Sequence, residues 1–177
     1  MFKLKKSKKD GLDKTELFQA LDGSVAAIRV IDKKFNVIYQ NKKMEELSGI
    51  SSKKAIGMKC REELKGSECQ TKNCTLVQVL KGKKEIEFEA EKERPDGTKI
   101  PAKLRAIPLK DGKGNVVGVI ESFADISDIK EQQKKLEDQK KIDESFLQGM
   151  PDPAFKTDTN LVITDINKAF AKAMGYS

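Results

Sequence analysis

The stretch AIRVIDKKFNVIYQNKKMEELSGIS, from Ala27 to Ser51, sets the pattern of the whole chain, because a diverged copy, AFKTDTNLVITDINKAFAKAMGYS, closes it from Ala154 to Ser177. At an offset of 126 residues the copies share these positions: Asp32 with Asp158, Asn41 with Asn167, Gly49 with Gly175, Ser51 with Ser177, and the apolar pairs Phe35 with Leu161, Val37 with Ile163 and Met44 with Phe170. Each copy predicts two short strands joined by a polar turn, then a helix that starts at an Asn and ends at a Gly. The long offset indicates a returning domain, since solenoid repeats are shorter.

The segments between the two copies predict the rest of a sheet. Residues 85–91, EIEFEAE, alternate apolar and acidic side chains as a half-buried strand does. Residues 98–109 predict a longer strand, and residues 116–124 predict the last one after a glycine-rich turn. Five strands, with short helices between the second and the third, predict an α+β fold in which the helices cover one face of an antiparallel sheet.

In this order and spacing, the segments resemble a PAS sensor domain. The resemblance rests on the strand that ends at Asn41, on RPDGTKIP from Arg94 to Pro101, on the turn KDGKGN and on the strand VVGVIESFADIS. Asp125, Ile126 and Ser127 are similar to the Asp-Ile-Thr signature at which PAS domains pass a signal to a helix. The resemblance implies a PAS-like five-stranded antiparallel sheet with short helices on one face, flanked by N-terminal and C-terminal helices.

Five segments follow from this interpretation: a basic tail at 1–11, an N-terminal helix at 12–23, the PAS domain at 24–127, a connector helix at 128–147, and the start of a second, truncated PAS domain at 148–177. In the first helix, Asp13 is the predicted N-cap, and Leu12 and Leu17 form a predicted hydrophobic staple. The second domain lacks three strands, so we expect it to be disordered, exchanged between chains or completed by a partner.

The connector carries a thin apolar seam, with apolar residues at Ile129, Leu136, Ile142 and Phe146 among charged and amide side chains. Two interpretations stay open: a parallel two-stranded coiled coil, or a solvated spacer helix. The resemblance implies a homodimer held through the flanking helices, with a signal passed from residues 125–127 into the connector.

Charge and composition exclude several classes of function. The net charge is +7, but five lysines among the first nine residues carry most of it, so we predict no nucleic-acid surface and membrane contact only through the tail. Histidine is absent, which excludes Ser-His and Cys-His catalysis and argues against His-ligated haem. No pair of carboxylates converges, so no enzyme is predicted. No apolar run approaches the length of a membrane span, and we expect a cytoplasmic protein.

All three cysteines lie within GMKCREELKGSECQTKNCTL, at Cys60, Cys69 and Cys74. Their C-x8-C-x4-C spacing does not match a zinc ribbon or knuckle. The alternatives are a metal site completed by Glu68 or solvent, an iron–sulfur cluster with one open iron, a thiol–disulfide switch, and cysteines that are only structural.

The reactivity of these thiols depends on their neighbours. Lys59, Arg61 and Lys72 lie near enough in sequence to lower a thiol pKa. Cys60 also occupies the place at which the LOV subgroup of PAS domains carries its photoreactive cysteine. Lys59, Leu64 and Ala102 stand where that subgroup has amide side chains that bind flavin, which argues against a flavin cofactor.

A ligand pocket is predicted between the sheet and the short helices. Strand parity and helix spacing assign seven residues to it: Met44, Leu76, Leu80, Phe88, Ala102, Leu104 and Phe123. The same residues could instead form a plain hydrophobic core. Glu121 shares a face with Phe123, so it is either a buried ligand contact or proton sensor, or an exposed residue at the end of its strand.

The sequence therefore predicts a cytoplasmic PAS sensory module of a signal-transduction protein, such as a chemotaxis transducer or a two-component sensor kinase. Its input is a small ligand, or the redox or metal state of the cysteines. Two alternatives remain: a dimerisation scaffold without a ligand, and a metal or iron–sulfur protein built on the cysteines.

Overall fold

A computed structural model describes residues 14–176 of the chain. The basic tail, the predicted N-cap and the predicted staple residue Leu12 lie outside these residues. The described residues divide into two compact units, and the boundary between them in the sequence falls between Ser127 and Asp128. No helix among them is both long enough and apolar enough to cross a membrane.

The first unit holds eleven elements. Its helices are α1 (Lys14–Asp22), α2 (Lys42–Ser48), α3 (Ser52–Ala55), α4 (Cys60–Glu63) and α5 (Thr75–Leu80). Its strands are β1 (Ala27–Asp32), β2 (Val37–Gln40), β3 (Lys65–Gly66), β4 (Ile86–Glu93), β5 (Lys99–Lys110) and β6 (Val116–Asp125).

The strands of the first unit form one antiparallel sheet in the order β2-β1-β6-β5-β4-β3. The predicted α+β class is confirmed, and the sheet has six strands rather than five. The additional strand, β3, has only two residues and pairs with the end of β4. It is too short to leave an alternating pattern in the sequence.

The centre of the sheet depends on a close approach between β1 and β6. Asp32 lies opposite Gly118, and a Cβ at Gly118 would overlap the backbone carbonyl of Ile31. Glycine is the residue that permits this approach. The closing strand β6 is thereby held between β1 and β5, in the middle of the sheet.

The core lies between the inner face of the sheet and the helices α2 to α5. Apolar side chains alternate inward along the strands, and they meet Met44 and Leu47 from α2 and Leu76 and Val79 from α5. Burying such side chains is the main driving force for the fold. Outward positions on β4 and β5 carry paired charges instead, such as Glu87 with Lys103 at 2.6 Å.

The second unit contains α6 (Ser127–Gly149), β7 (Phe155–Thr157), β8 (Ile163–Ile166) and α7 (Lys168–Ala173), with α6 beginning on the last residue of the first unit. The connector is thus helical, and its apolar residues Ile129, Leu136, Ile142 and Phe146 are all exposed. β7 and β8 form an antiparallel hairpin. The hairpin and its helix are formed, which argues against disorder of this region, while exchange between chains and completion by a partner stay predictions.

Candidate thiol site

The structure brings the three cysteines to one cavity. Cys60 begins α4, Cys69 lies in the loop after β3, and Cys74 immediately precedes α5; all three are free thiols. They surround a cavity of about 130 Å³ whose lining residues are Lys34, Phe35, Lys59, Cys60, Arg61, Cys69, Gln70 and Cys74. We call this the thiol cavity.

The turn between β1 and β2 forms one wall of the thiol cavity. The Asp32 carboxylate accepts hydrogen bonds from the backbone N–H groups of Lys34 and Asn36, both at 2.8 Å. Phe35 takes a left-handed backbone with φ of 66° in this turn, and its carbonyl accepts from the Cys60 N–H at 2.9 Å. The turn is therefore held directly against the start of α4.

The rim of the thiol cavity is cationic. The Lys59 ammonium donates to the Lys34 carbonyl and to Asn36 Oδ1, both at 2.8 Å, while Arg61 donates to Gln70 Oε1 at 2.6 Å. The described lining includes no carboxylate. The positive charge of these side chains therefore disfavours binding of a free cation in the cavity.

These cations do not lower the pKa of Cys60 or Cys69, contrary to the sequence prediction. Burial raises the pKa of Cys60 to about 11, although the Arg29 guanidinium acts to lower it. Burial also raises the pKa of Cys69, although the Gly66 N–H acts to lower it. The predicted neighbours Lys59, Arg61 and Lys72 are not among the groups that shift either pKa, and loss of hydration outweighs nearby charge. Both groups are protonated thiols at neutral pH.

The described residues do not fit a resident metal ion or iron–sulfur cluster. No three His, Cys, Asp or Glu side chains in residues 14–176 stand together in a way that could hold a metal. Glu68, the predicted fourth ligand, instead pairs with the Lys92 ammonium. A metal site also needs thiolates, which burial disfavours here.

A buried charge cluster lies behind Cys60. Arg29, on the inner face of β1, donates from Nε to Glu121 Oε2 at 2.7 Å, and from Nη1 to the Cys60 carbonyl at 2.9 Å and to Glu63 Oε2 at 3.1 Å. The Thr75 hydroxyl donates to the other oxygen of Glu121. Glu121 is therefore a buried carboxylate and not an exposed residue at the end of its strand. We call Arg29, Glu63, Thr75 and Glu121 the Arg29 cluster.

Lys92 adds a second buried cation to this interior. Its ammonium pairs with Glu68 and lies over the rings of Phe88 and Phe123, 5.9 and 5.7 Å from their centroids. Burial lowers the pKa of Lys92 to about 8, with Glu121 acting to raise it. One oxygen of Glu68 and one of Glu63 are buried without a hydrogen-bond partner.

The carboxyl groups of the Arg29 cluster differ in acidity. Burial acts to raise the pKa of Glu121, but the Arg29 guanidinium and the Thr75 hydroxyl outweigh it and leave that pKa below its ordinary value. Burial raises the pKa of Glu63, and Arg29 offsets this only in part. Glu121 thus holds the charge that balances Arg29, and Glu63 is the carboxyl that takes up a proton more easily.

The predicted ligand pocket does not coincide with the thiol cavity. Five of its residues are buried in the hydrophobic core: Met44, Leu76, Ala102, Leu104 and Phe123. Phe88 packs against that core, and Leu80 is 45% exposed because the last turn of α5 faces solvent. None of the seven lines the thiol cavity.

The structure adds functional candidates that the sequence analysis missed. Arg29 shares strand parity with the core residues Ala27 and Ile31, and Lys92 shares it with Ile86 and Phe88. A charged residue at an inward position of a strand was the signal that could have found both. Their carboxylate partners lie far away in sequence and could not be assigned from it.

The residues predicted to transfer the signal form the junction between β6 and α6. Asp125 Oδ1 accepts from the Ser127 N–H at 2.8 Å and from its hydroxyl at 2.6 Å, while the Ile126 N–H donates to the Pro101 carbonyl at 3.0 Å. Ile126 is buried. The start of α6 is thereby tied to the central strands of the sheet.

Leu64 and Ala102 stand at positions where the LOV pattern has flavin-binding amide side chains. Leu64 and Ala102 are completely buried in the core. The thiol cavity, at about 130 Å³, is also smaller than the ~300–1,000 Å³ of a typical cofactor site. Leu64 and Ala102 therefore offer no amide group to a flavin ring.

Comparison with known proteins connects this architecture to a family. A family model described as a PAS domain matches residues 24–128. The fold is similar to that of a PAS domain of a protein from Colwellia psychrerythraea, with 20% identity, a TM-score of 0.56, and coverage of 64% of this chain and 97% of that one. No match is found among the curated proteins.

Two further solved structures share the fold. One, described under a study of a flavin analogue in a light-oxygen-voltage domain, has 23% identity, a TM-score of 0.52, and coverage of 70% of this chain and 95% of that one. The other is a PAS domain of an HTR-like protein from Haloarcula marismortui, with 16% identity, a TM-score of 0.52, and coverage of 63% and 90%. At these identities the similarity extends to the fold alone.

Proposed function

Because the chain belongs to the PAS domain family through residues 24–128, we propose that it is the sensory module of a signal-transduction protein. Its input is the state of the thiol cavity, and its output is a change at the start of α6. No catalytic activity is part of this proposal.

The observation that carries the proposal is the position of Arg29. Its guanidinium bonds at once to the Cys60 carbonyl and to Glu121 on β6. β6 continues through Asp125 into α6. Ligand binding or modification in the thiol cavity that displaces α4 would also displace Arg29 and strain its hydrogen bond to Glu121 on β6. Because buried ion pairs tolerate little misalignment, β6 and the start of α6 would respond.

We place this module in a multi-domain cytoplasmic protein of the sensor kinase or chemotaxis transducer type, with tandem PAS domains and a homodimer formed through the flanking helices. Support for the tandem arrangement comes from the repeated hairpin and helix in the second unit. Support for the dimer comes from the exposed apolar side chains of Ile129 and Leu136 on α6. A coiled coil would cover such a seam.

The proposal is tested by modifying the thiols and following α6. Methyl methanethiosulfonate places a small methylthio group on each cysteine, and mass spectrometry reports when modification is complete. Amide hydrogen exchange should then change in β6 and in the first turns of α6. The same treatment should have no effect on a triple Cys→Ser variant, and Glu121→Gln should weaken the response in α6 although modification still goes to completion. Complete modification with unaltered exchange in β6 and α6 would contradict the proposal.

A second candidate, a dimerisation scaffold without a ligand, is favoured by one observation. Five of the seven side chains predicted to line a ligand pocket are instead buried in the hydrophobic core. Under this alternative, the triple Cys→Ser variant would keep both the stability and the oligomeric state of the natural chain, and thiol modification would leave α6 unaffected.

A further inference from the structure

The thiol cavity has an apolar floor formed by four side chains. Cys60 and Cys74 are buried, and Cys69 and Phe35 are partly buried. Free cysteines behave as small hydrophobic groups. The cavity volume of about 130 Å³ is similar to the ~150 Å³ of an engineered apolar cavity that binds benzene. The floor therefore suits an apolar group of about five carbon atoms.

The rim of the same cavity is cationic and exposed to solvent. Lys34, Lys59 and Arg61 are all exposed, and none of them forms an ion pair with a described residue. Asp32 interacts electrostatically with Lys59, but its carboxylate already accepts hydrogen bonds from Lys34 and Asn36. Positive charge at the rim therefore lacks an anionic partner within the described lining.

The rim cations also retain hydrogen-bond donors for a ligand. The Lys59 ammonium uses two of its three hydrogens, on the Lys34 carbonyl and on Asn36 Oδ1. Arg61 donates to Gln70 Oε1 and keeps further N–H groups. The Lys34 ammonium has no partner among the described residues. An anion at the rim would accept charge-assisted hydrogen bonds from these groups.

We propose that the thiol cavity binds a small amphipathic monocarboxylate, an unbranched acid of about five carbon atoms. This inference rests on the proposed function and names the ligand class of the same cavity. The alkyl chain packs against Phe35 and the three cysteines, and the carboxylate lies among Lys34, Lys59 and Arg61. No covalent bond forms or breaks, and the sulfur atoms need not converge on one point.

Charge and size together favour this ligand over related molecules. A cation of the same length would meet like charge at the rim. A neutral amide would keep the apolar contact but lose the attraction to the three cations. A much longer chain would exceed the volume of the cavity. Because the cations are exposed, their attraction is moderate and is screened by salt.

The test is a titration of the natural, reduced chain with pentanoate at low salt, followed through the amide NMR shifts of residues 34–35, 59–61 and 69–70. Pentanoate should bind saturably, pentanamide about tenfold more weakly, and pentylammonium not at all. From acetate to pentanoate, affinity should rise by up to about fourfold for each added CH₂ group. Raising NaCl from about 20 to about 300 mM should weaken pentanoate binding.

Lys34→Met removes one rim charge without breaking a hydrogen bond, because only the backbone N–H and carbonyl of Lys34 are bonded. We expect it to weaken pentanoate binding about threefold, whereas Lys34→Arg should retain binding. Lys72→Met is the matched control, since it makes the same change at an exposed lysine outside the cavity lining. It should leave binding unchanged.

A second measurement locates the ligand. Bound pentanoate should slow the modification of the cysteines by methyl methanethiosulfonate, and pentanamide at the same concentration should not. This comparison uses the natural chain, so it does not depend on whether a variant folds. Binding of pentanoate without protection of the thiols would place the acid outside the cavity and contradict the inference.

Four further results would overturn the inference: no saturable binding of pentanoate, equal affinities for pentanoate and pentanamide, equal losses in Lys34→Met and Lys72→Met, or tighter binding of decanoate, which would indicate a lipid chain on a larger surface. Failure here is distinguishable from failure of the proposed function. If α6 responds to methylthio modification but pentanoate does not bind, only the ligand class is wrong. If pentanoate binds and α6 does not respond to modification, the binding site stands and the sensory role fails.

Discussion

The hairpin and helix from β1 to α2 and those from β7 to α7 are built by the same local hydrogen bonds. Asp32 Oδ1 accepts from N–H groups two and four residues later at 2.8 Å each, and Asp158 Oδ1 does so at 2.8 and 2.9 Å. Asn41 caps α2 and also bonds across its hairpin, and Asn167 does the same for α7. Phe35 and its equivalent Leu161 both take left-handed backbones, with φ of 66° and 64°.

The two regions differ in what surrounds them. Val37 is fully buried, whereas its equivalent Ile163 is 50% exposed, and Leu161 is 82% exposed where Phe35 packs against the core. β1 has a second neighbour in β6, but among the described residues β7 pairs only with β8. Local side-chain hydrogen bonds therefore suffice for the shape of this motif, while burial needs the rest of a domain.

The most informative difference is at Arg29, whose equivalent is Phe155. Phe155 packs against Phe170 with ring centroids 5.4 Å apart, and it needs no ionic partner. Arg29 needs Glu63 and Glu121, which the first unit supplies from distant segments. The buried charge cluster is thus a feature of the first copy that its repeat does not share.

The largest expected effect is that of Arg29→Met on the stability of the first unit. Removing the guanidinium takes away the one group that is ion-paired with both Glu63 and Glu121, and we expect the free energy of unfolding of the first unit to fall by about 3–5 kcal/mol, as measured by urea denaturation. Lys103→Met, which breaks an exposed pair with Glu87, is the matched control, and it should cost far less, because an exposed ion pair contributes little to stability. Adding Glu121→Gln to Arg29→Met should restore part of the loss. Equal costs for the two single variants would refute the buried role of Arg29.

The next largest effect distinguishes Asn41 from its equivalent Asn167, because each should stabilise only its own unit. Asn41→Ala removes two accepted bonds and two donated bonds, the latter to the carbonyls of Leu21 and Ala26. We expect a cost of about 3 kcal/mol, because buried backbone groups lose their partners. Asn167→Ala should instead speed amide hydrogen exchange in β7, β8 and α7 and leave the first unit unchanged. Matching exchange patterns in the two variants would show that the motifs do not act separately.

The smallest effect is the pH dependence of the stability of the first unit. The pKa of Lys92 falls from 10.5 to about 8 on folding, so its contribution to stability grows between these values and is lost as the pH falls through 8. The pKa of Cys60 rises from 9.0 to about 11, so its contribution is lost as the pH rises from 9 towards 11. Cys69 acts in the same direction as Cys60.

These opposing slopes predict a change on the order of 1 kcal/mol in the natural chain between pH 8 and 10.5. Cys60→Ser should make the net slope in this range more positive, because one of the opposing groups is gone. Urea denaturation at three pH values under reducing conditions measures both slopes. A Cys60→Ser variant whose stability follows the same pH curve as the natural chain would contradict the assigned burial of this thiol.

Much of the fold was predictable because it depends on short-range patterns. The alternation in EIEFEAE predicted β4, and the asparagines before α2 and α7 predicted where those two helices begin. The two-residue strand β3 was missed, since it forms only where the loop meets the end of β4. The sequence singled out the three cysteines, but it did not predict the raised pKa of Cys60 and Cys69, because burial depends on residues far away in sequence.

By itself, the amino-acid sequence determined the repeated motif, the antiparallel α+β class and the grouping of the thiols, since each follows from neighbouring residues and backbone preferences. Only the tertiary structure decided that Arg29 and Glu121, separated by 92 residues, form one buried ion pair, and that five of the seven predicted pocket residues lie in the hydrophobic core. The physical reason is that burial and electrostatic pairing depend on which segments meet in space. Two copies of one local pattern therefore acquire different interiors.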